Sequence, residues 1–169
     1  MAAQVVKREV DSPGPEVLGH VLQMLDGMAR DGIDDPELLI AALVHDLGKL
    51  LLLTREDPAN VVCMTAPIGS YANGVGLDAV TLQWNHDEFG YSRLGEHVSE
   101  PVAWLVRYHS ILPECMPLMN GRDFAFKKKY LDVFAYYDHE TKSAFRLPEA
   151  RIETYRDLIE DAFPKPILF

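Results

Sequence analysis

The chain has 169 residues, 48% of them hydrophobic, and a formal net charge of −10. That is enough apolar material for one globular domain with a sizeable core. The acidic balance argues against a nucleic-acid partner, which would call for a basic patch. The one basic run, Lys127-Lys128-Lys129, falls among Phe124, Phe126 and Tyr130 and reads as a solvated helix face. Two cysteines, Cys63 and Cys115, make neither a disulfide framework nor a thiolate zinc site. The start shows no signal-peptide pattern, and the longest apolar run, Leu38 to Val44, is too short to cross a bilayer. A cytoplasmic protein, monomeric or a small homo-oligomer, with no membrane or nucleic-acid partner, is expected.

Residues 1–13 carry few apolar anchors and end at Ser12-Pro13, so an N-terminal arm or lid is expected before a domain over 14–169. From Pro15 to Arg30 the apolar positions Val17, Leu18, Val21, Leu22, Leu25 and Met28 recur at three and four, which predicts a helix stopped by Gly32. Asp34 or Asp35 with Pro36 opens a second helix, predicted to run through Leu38–Leu50. Residues 54–76 hold Pro58, Pro67, Gly69, Gly74 and Gly76 and read as a long loop. Helical periodicity returns over Leu77–Trp84, Tyr91–His97, Pro101–His109, Phe124–Asp138 and Pro148–Phe163, with Pro113 and Pro117 breaking the chain between. No segment reads as a strand and no repeat is found. The fold expected is an all-α, single-domain helical bundle.

The chemistry-bearing residues sit at the ends of apolar helical segments. His45-Asp46 closes the run Leu38-Leu39-Ile40-Ala41-Ala42-Leu43-Val44 and is followed by Gly48 and Lys49. A buried ionised carboxylate without a partner costs several kcal/mol or more, and a metal ion is one compensation. His20, His86 and His109 occupy similar apolar contexts. Each alone would be an ordinary core histidine; four with a His-Asp pair point to a shared polar centre. A bundle core gathers such groups from several helices, and imidazole with carboxylate suits iron, zinc or manganese. Asp46, with two oxygens, is placed to bridge two ions. Asp138, ending the aromatic run Phe134-Ala135-Tyr136-Tyr137, is the best further carboxylate. Asp87 and Asp132 are expected to be solvated, and His97 and His139, in charged stretches, to stand apart. Lys49, four residues after His45, is expected on the same helix face.

The order His20, His45-Asp46, His86, His109, Asp138 resembles the metal-dependent HD-domain superfamily. More narrowly, Leu43-Val-His-Asp-Leu-Gly-Lys49, Trp84-Asn-His-Asp-Glu88, Val106-Arg-Tyr-His-Ser110 and Tyr137-Asp-His-Glu-Thr-Lys142 are similar to blocks of the myo-inositol oxygenase family, as is the C-terminal Tyr155–Ile159 and Pro166–Phe169. The resemblance implies an HD-type bundle around a mixed-valent Fe(II)/Fe(III) pair, with O2 as co-substrate and a small hydroxylated substrate that is oxidised and cleaved at a C–C bond. It places His20, His45, Asp46 and Asp138 on one iron and Asp46, His86 and His109 on the other. It assigns Lys49 to the polarisation of a metal-bound oxygen, and Ser110 and Lys142 to substrate hydroxyls. The family's Gly-Asp in the loop after the HD helix stands here as Cys63-Met64. That substitution removes a carboxylate acceptor and favours a less polar or differently functionalised alcohol than free inositol. The alternatives are an HD-type phosphohydrolase, with Lys49, Arg107 and Lys142 on a phosphate, and a C–P-cleaving hydroxyphosphonate oxygenase.

Overall fold

A computed structural model describes residues 15–61, 64–143 and 146–167, with side chains from residue 18 onward. The expected arm over residues 1–13 and Cys63 lie outside the described residues. Helix α1 (Pro15–Arg30) buries Val21, Met24, Leu25 and Met28. It ends as Gly32 turns to φ +72, the Gly32 N–H reaching the Ala29 carbonyl at 3.2 Å and the Ile33 N–H the Met28 carbonyl at 2.9 Å. Those paired bonds are a glycine-dependent helix stop that satisfies the last carbonyls. Helix α2 (Pro36–Val44) starts where the Asp35 carboxylate accepts from the Glu37 N–H at 2.9 Å, with proline in the first turn.

The predicted continuation of α2 to Leu50 is corrected: at Val44 the chain tightens into a 3-10 helix, His45–Thr54. Side chains three apart eclipse in that geometry, so Lys49 stands over Asp46 rather than over His45. The segment packs against α3 (His86–Leu94), which Asn85 caps through the Glu88 N–H at 3.1 Å. A Cβ on Gly48 would fall 1.8 Å from the His86 carbonyl oxygen, so only glycine permits this approach. Helix α4 (Glu100–Tyr108) buries Val102, Ala103, Trp104, Leu105 and Val106 against α2 and α3. Helix α5 (Gly121–Phe126) passes through one π-helical turn, Lys127–Leu131, into α6 (Asp132–Glu140), and α7 (Arg156–Ala162) packs on α2.

Among the described residues there is no strand, only the isolated bridges Thr65 with Ile111 and Pro67 with Leu82. The helix predicted over Leu77–Trp84 reduces to a 3-10 turn, Leu77–Ala79. Beyond it the backbone pairs with the loop instead: the Ile68 N–H donates to the Thr81 carbonyl and the Gln83 N–H to the Ala66 carbonyl, both at 2.8 Å. The helix predicted from Pro148 begins only at Ile152, with a 3-10 turn before α7, because the Glu149 and Ala150 N–H groups donate to the Asp26 carboxylate at 2.7 and 2.6 Å. One apolar cluster, including Met24, Ala41, Leu105 and Phe134, joins α1, α2, α4 and α6. No helix among the described residues is long and apolar enough to cross a membrane.

Candidate metal centre

Six side chains picked out in the sequence converge at the middle of this bundle. His20 projects from mid-α1, His45 and Asp46 from the α2 exit, His86 from the first turn of α3, His109 from the end of α4 and Asp138 from the last turn of α6. His45 and His86 are essentially sealed from solvent, and Asp46 and His109 nearly so. Donor atoms of His20, His45 and Asp46 lie within 4.8 Å of one another, and so do those of Asp46, His86 and His109. Asp46 belongs to both groups. Its Oδ2 lies 3.5 Å from His45 Nε2, and its Oδ1 lies 3.4 Å from His86 Nε2 and 4.0 Å from His109 Nε2. Asp138 Oδ1 joins the first group, 2.7 Å from His20 Nε2 and 3.9 Å from His45 Nε2.

Helix ends set the ring nitrogens. His45 follows the last residue of α2, and its Nδ1 lies 3.0 Å from the Ala42 carbonyl. His109 follows the last residue of α4, and its Nδ1 lies 3.1 Å from the Val106 carbonyl. A carbonyl only accepts, so each Nδ1 carries a proton and each ring turns its Nε2 inward. That is the orientation of a metal-ligating histidine. Both Nε2 atoms are buried and make no hydrogen bond. Burial pulls His45 down to about 4, against the raising effect of Asp46, so it is neutral at pH 7. For Asp46, burial alone would raise the carboxyl; His45, His86 and the Lys49 ammonium outweigh it and hold it well below the usual range. Asp138 is lowered in the same way, burial being outweighed by the His20 hydrogen bond and by His45 and His109. The cluster therefore presents bare imidazole nitrogens and ionised carboxylates to one small buried space. Orphaned lone pairs and anions of this kind fit one or two cations bound by nitrogen and oxygen donors.

Phe134 closes one side, its ring centroid 5.2 Å from that of His45 and 6.2 Å from that of His109. Lys49 Nζ donates to Asp46 Oδ2 at 2.8 Å. Ser110 is half-buried and donates to Asp87, and Lys142 lies exposed just past α6. His97 and His139 are exposed, and Asp132 is half-exposed beside Lys127, all outside the cluster.

Asp87 is the correction. Expected to be solvated, it is 0% exposed and its Oδ1 lies 2.9 Å from His86 Nε2. The signal was present as a second His-Asp pair, His86-Asp87, read for its histidine alone. Thr65 and Asn85, both 0% exposed, were also missed: the Thr65 hydroxyl donates to Asp87 Oδ2 at 2.7 Å and accepts from Asn85 Nδ2 at 2.8 Å.

Comparison with known proteins places the chain in a family. The sequence model of the family described as myo-inositol oxygenase matches residues 55–169. The "Probable inositol oxygenase" of Oryza sativa subsp. japonica is 30% identical over 206 aligned positions, covering 95% of this chain and 67% of that protein. "Inositol oxygenase 2" of Arabidopsis thaliana is 28% identical, covering 95% of this chain and 65% of that protein. "Inositol oxygenase" of Danio rerio is 25% identical, over 94% and 72% respectively. The chain thus spans about two thirds of the length of these relatives. The alignments are also longer than the chain itself, so the relatives carry residues inside the matched region that this chain lacks. With a match over most of its length and an all-α cluster of four histidines and two aspartates at its centre, the chain belongs to the myo-inositol oxygenase family.

Proposed function

We propose that residues 14–169 form one HD-type domain that works as a diiron oxygenase, using O2 to oxidise and cleave a C–C bond of a small polyol or related hydroxylated substrate. The observation that carries the reading is the double role of Asp46, one oxygen turned to each donor group. In this reading His20, His45, Asp46 and Asp138 hold one iron, and Asp46, His86 and His109 hold the other. A mixed-valent Fe(II)/Fe(III) pair, when bound, supplies Lewis acidity and the redox equivalents for O2 chemistry.

The chain's own residues do the rest. The Ala42 and Val106 carbonyls hold the Nδ1 side of His45 and His109, which aims each Nε2 at the metal positions. Lys49 keeps a cation beside Asp46, where it favours an anionic substrate oxygen. Phe134 and the sealed histidines keep water out, which strengthens every charge interaction inside. Ser110 and Lys142 serve as substrate-hydroxyl contacts. Arg107, which a phosphate-binding alternative would need, is spent elsewhere: its guanidinium pairs with Glu88 at 2.6 Å and with Asp78 at 3.4 Å. This supports the oxygenase over a phosphohydrolase.

The test is metal analysis with Mössbauer and EPR spectroscopy on protein purified from iron-supplied cells, followed by O2-electrode assays over inositols and smaller polyols. Two irons per chain, an antiferromagnetically coupled pair and substrate-dependent O2 uptake are expected. One metal per chain, or no O2 uptake with any polyol alongside Mn-dependent phosphatase turnover, would overturn the reading.

A further inference from the structure

The reading above counts three protein donors at the second metal position, and Asp87 offers a fourth. Its Oδ2 is fully used, accepting from the Thr65 hydroxyl at 2.7 Å and from the Ser110 hydroxyl. Asn85 in turn steadies Thr65. This clamp fixes the carboxylate and aims Oδ1 into the centre, 2.9 Å from His86 Nε2 and 3.4 Å from His109 Nε2. Oδ1 is buried and makes no hydrogen bond, and the same holds for His109 Nε2. These two atoms face each other across 3.4 Å with no hydrogen bond to satisfy either. A buried polar atom left without a partner is costly, and more so for an anion. A cation between them would satisfy both.

The spacing fits that cation. Asp46 Oδ1, His86 Nε2, His109 Nε2 and Asp87 Oδ1 stand between 2.9 and 4.0 Å apart over the four measured pairs. Donors bonded to one ion at about 2.0–2.2 Å are separated by such distances. We propose that Asp87 Oδ1 is a fourth protein ligand of the ion held by Asp46, His86 and His109, an inference that rests on the dinuclear reading. With Asp87 counted, this position has two histidines and two carboxylates, the same donor set as the His20, His45, Asp46 and Asp138 position.

Metal-free protein titrated with Mn(II) alone, followed by calorimetry and EPR, tests this on wild type, Asp87→Ala, Asp87→Asn and Thr65→Ala. Wild type should bind two ions. Asp87→Ala should weaken one site by about tenfold or more and spare the other, and His86→Ala should weaken that same site while His20→Ala weakens the other. Thr65→Ala, which touches only Oδ2, should have the smaller effect. Should Asp87→Ala not fold, Asp87→Asn, which keeps the shape, must show the same single-site loss. Two ions bound by Asp87→Ala as tightly as by wild type, or equal weakening of both sites, would overturn the proposal and leave the dinuclear reading standing. Fewer than two ions on wild type would overturn both.

Discussion

The two sides of Asp46 are assembled by different means. On the α3–α4 side, His86 opens one helix and His109 ends another, His109 Nδ1 lying against the Val106 carbonyl, and no side chain there is more than 4% exposed. On the α1–α6 side, His20 and Asp138 lie 118 residues apart, meet by a 2.7 Å hydrogen bond, and Asp138 is 15% exposed. One side is sealed from solvent; the other is more open and depends on α1 staying docked. Gln23, one turn after His20, helps dock it. Its side-chain amide donates to the Ser143 and Arg146 carbonyls at 2.7 and 2.6 Å and accepts from the Ser143 N–H at 2.9 Å. The first position should therefore be the one that loosens first.

The largest effect is expected from Asp46→Ala, which strikes both sides at once: metal content should fall below one ion per chain by elemental analysis, with O2 uptake at background. Gly48→Ala comes next. The new methyl has nowhere to go against the His86 backbone, so a loss of about 1–3 kcal/mol or more is expected in denaturant melts, with the α3–α4 side disrupted first. Lys49→Met should leave two metals bound and lower kcat by about a hundredfold, which steady-state O2 uptake would read. Gln23→Ala should cost about 1–3 kcal/mol of stability and weaken only the ion at His20, sharpening the contrast between sides; equal weakening of both ions would erase it.

The smallest effect is a pH dependence of the metal-free protein. His45 sits at about 4 in the fold against 6.5 unfolded, so between those values the unfolded chain binds the extra proton and stability falls as pH drops. Asp87, held at about 2 because His109, His86 and Ser110 outweigh the raising effect of burial, contributes stability that is present above 3.8 and lost as pH falls toward 2. Thermal melts in chelator from pH 7 to pH 3 should show a monotonic decline.

Much of this was legible in the chain. The α1 pattern ends where Gly32 requires a positive φ, and the α2 start is written in Asp35-Pro36. The histidines and Asp138 stood out because polar groups that end apolar helices must face one another somewhere. Three things were not legible. The change from α to 3-10 geometry after Val44 depends on Gly48 meeting the His86 backbone, a contact between segments 38 residues apart. The Leu77–Trp84 stretch has helical spacing, yet its backbone pairs with residues 66–68. Asp87 looks like any acid in a first helical turn until Thr65 and Ser110 are brought beneath it.

By itself, then, the sequence determined the helices that carry the donors and the identity of those donors, because periodicity, caps and side-chain chemistry are local properties. Only the tertiary structure decided which oxygen of Asp46 faces which histidines, that Lys49 stands over Asp46 rather than His45, and that Asp87 is sealed inside. Those are properties of distance and burial, and they exist only once helices remote in sequence are brought together.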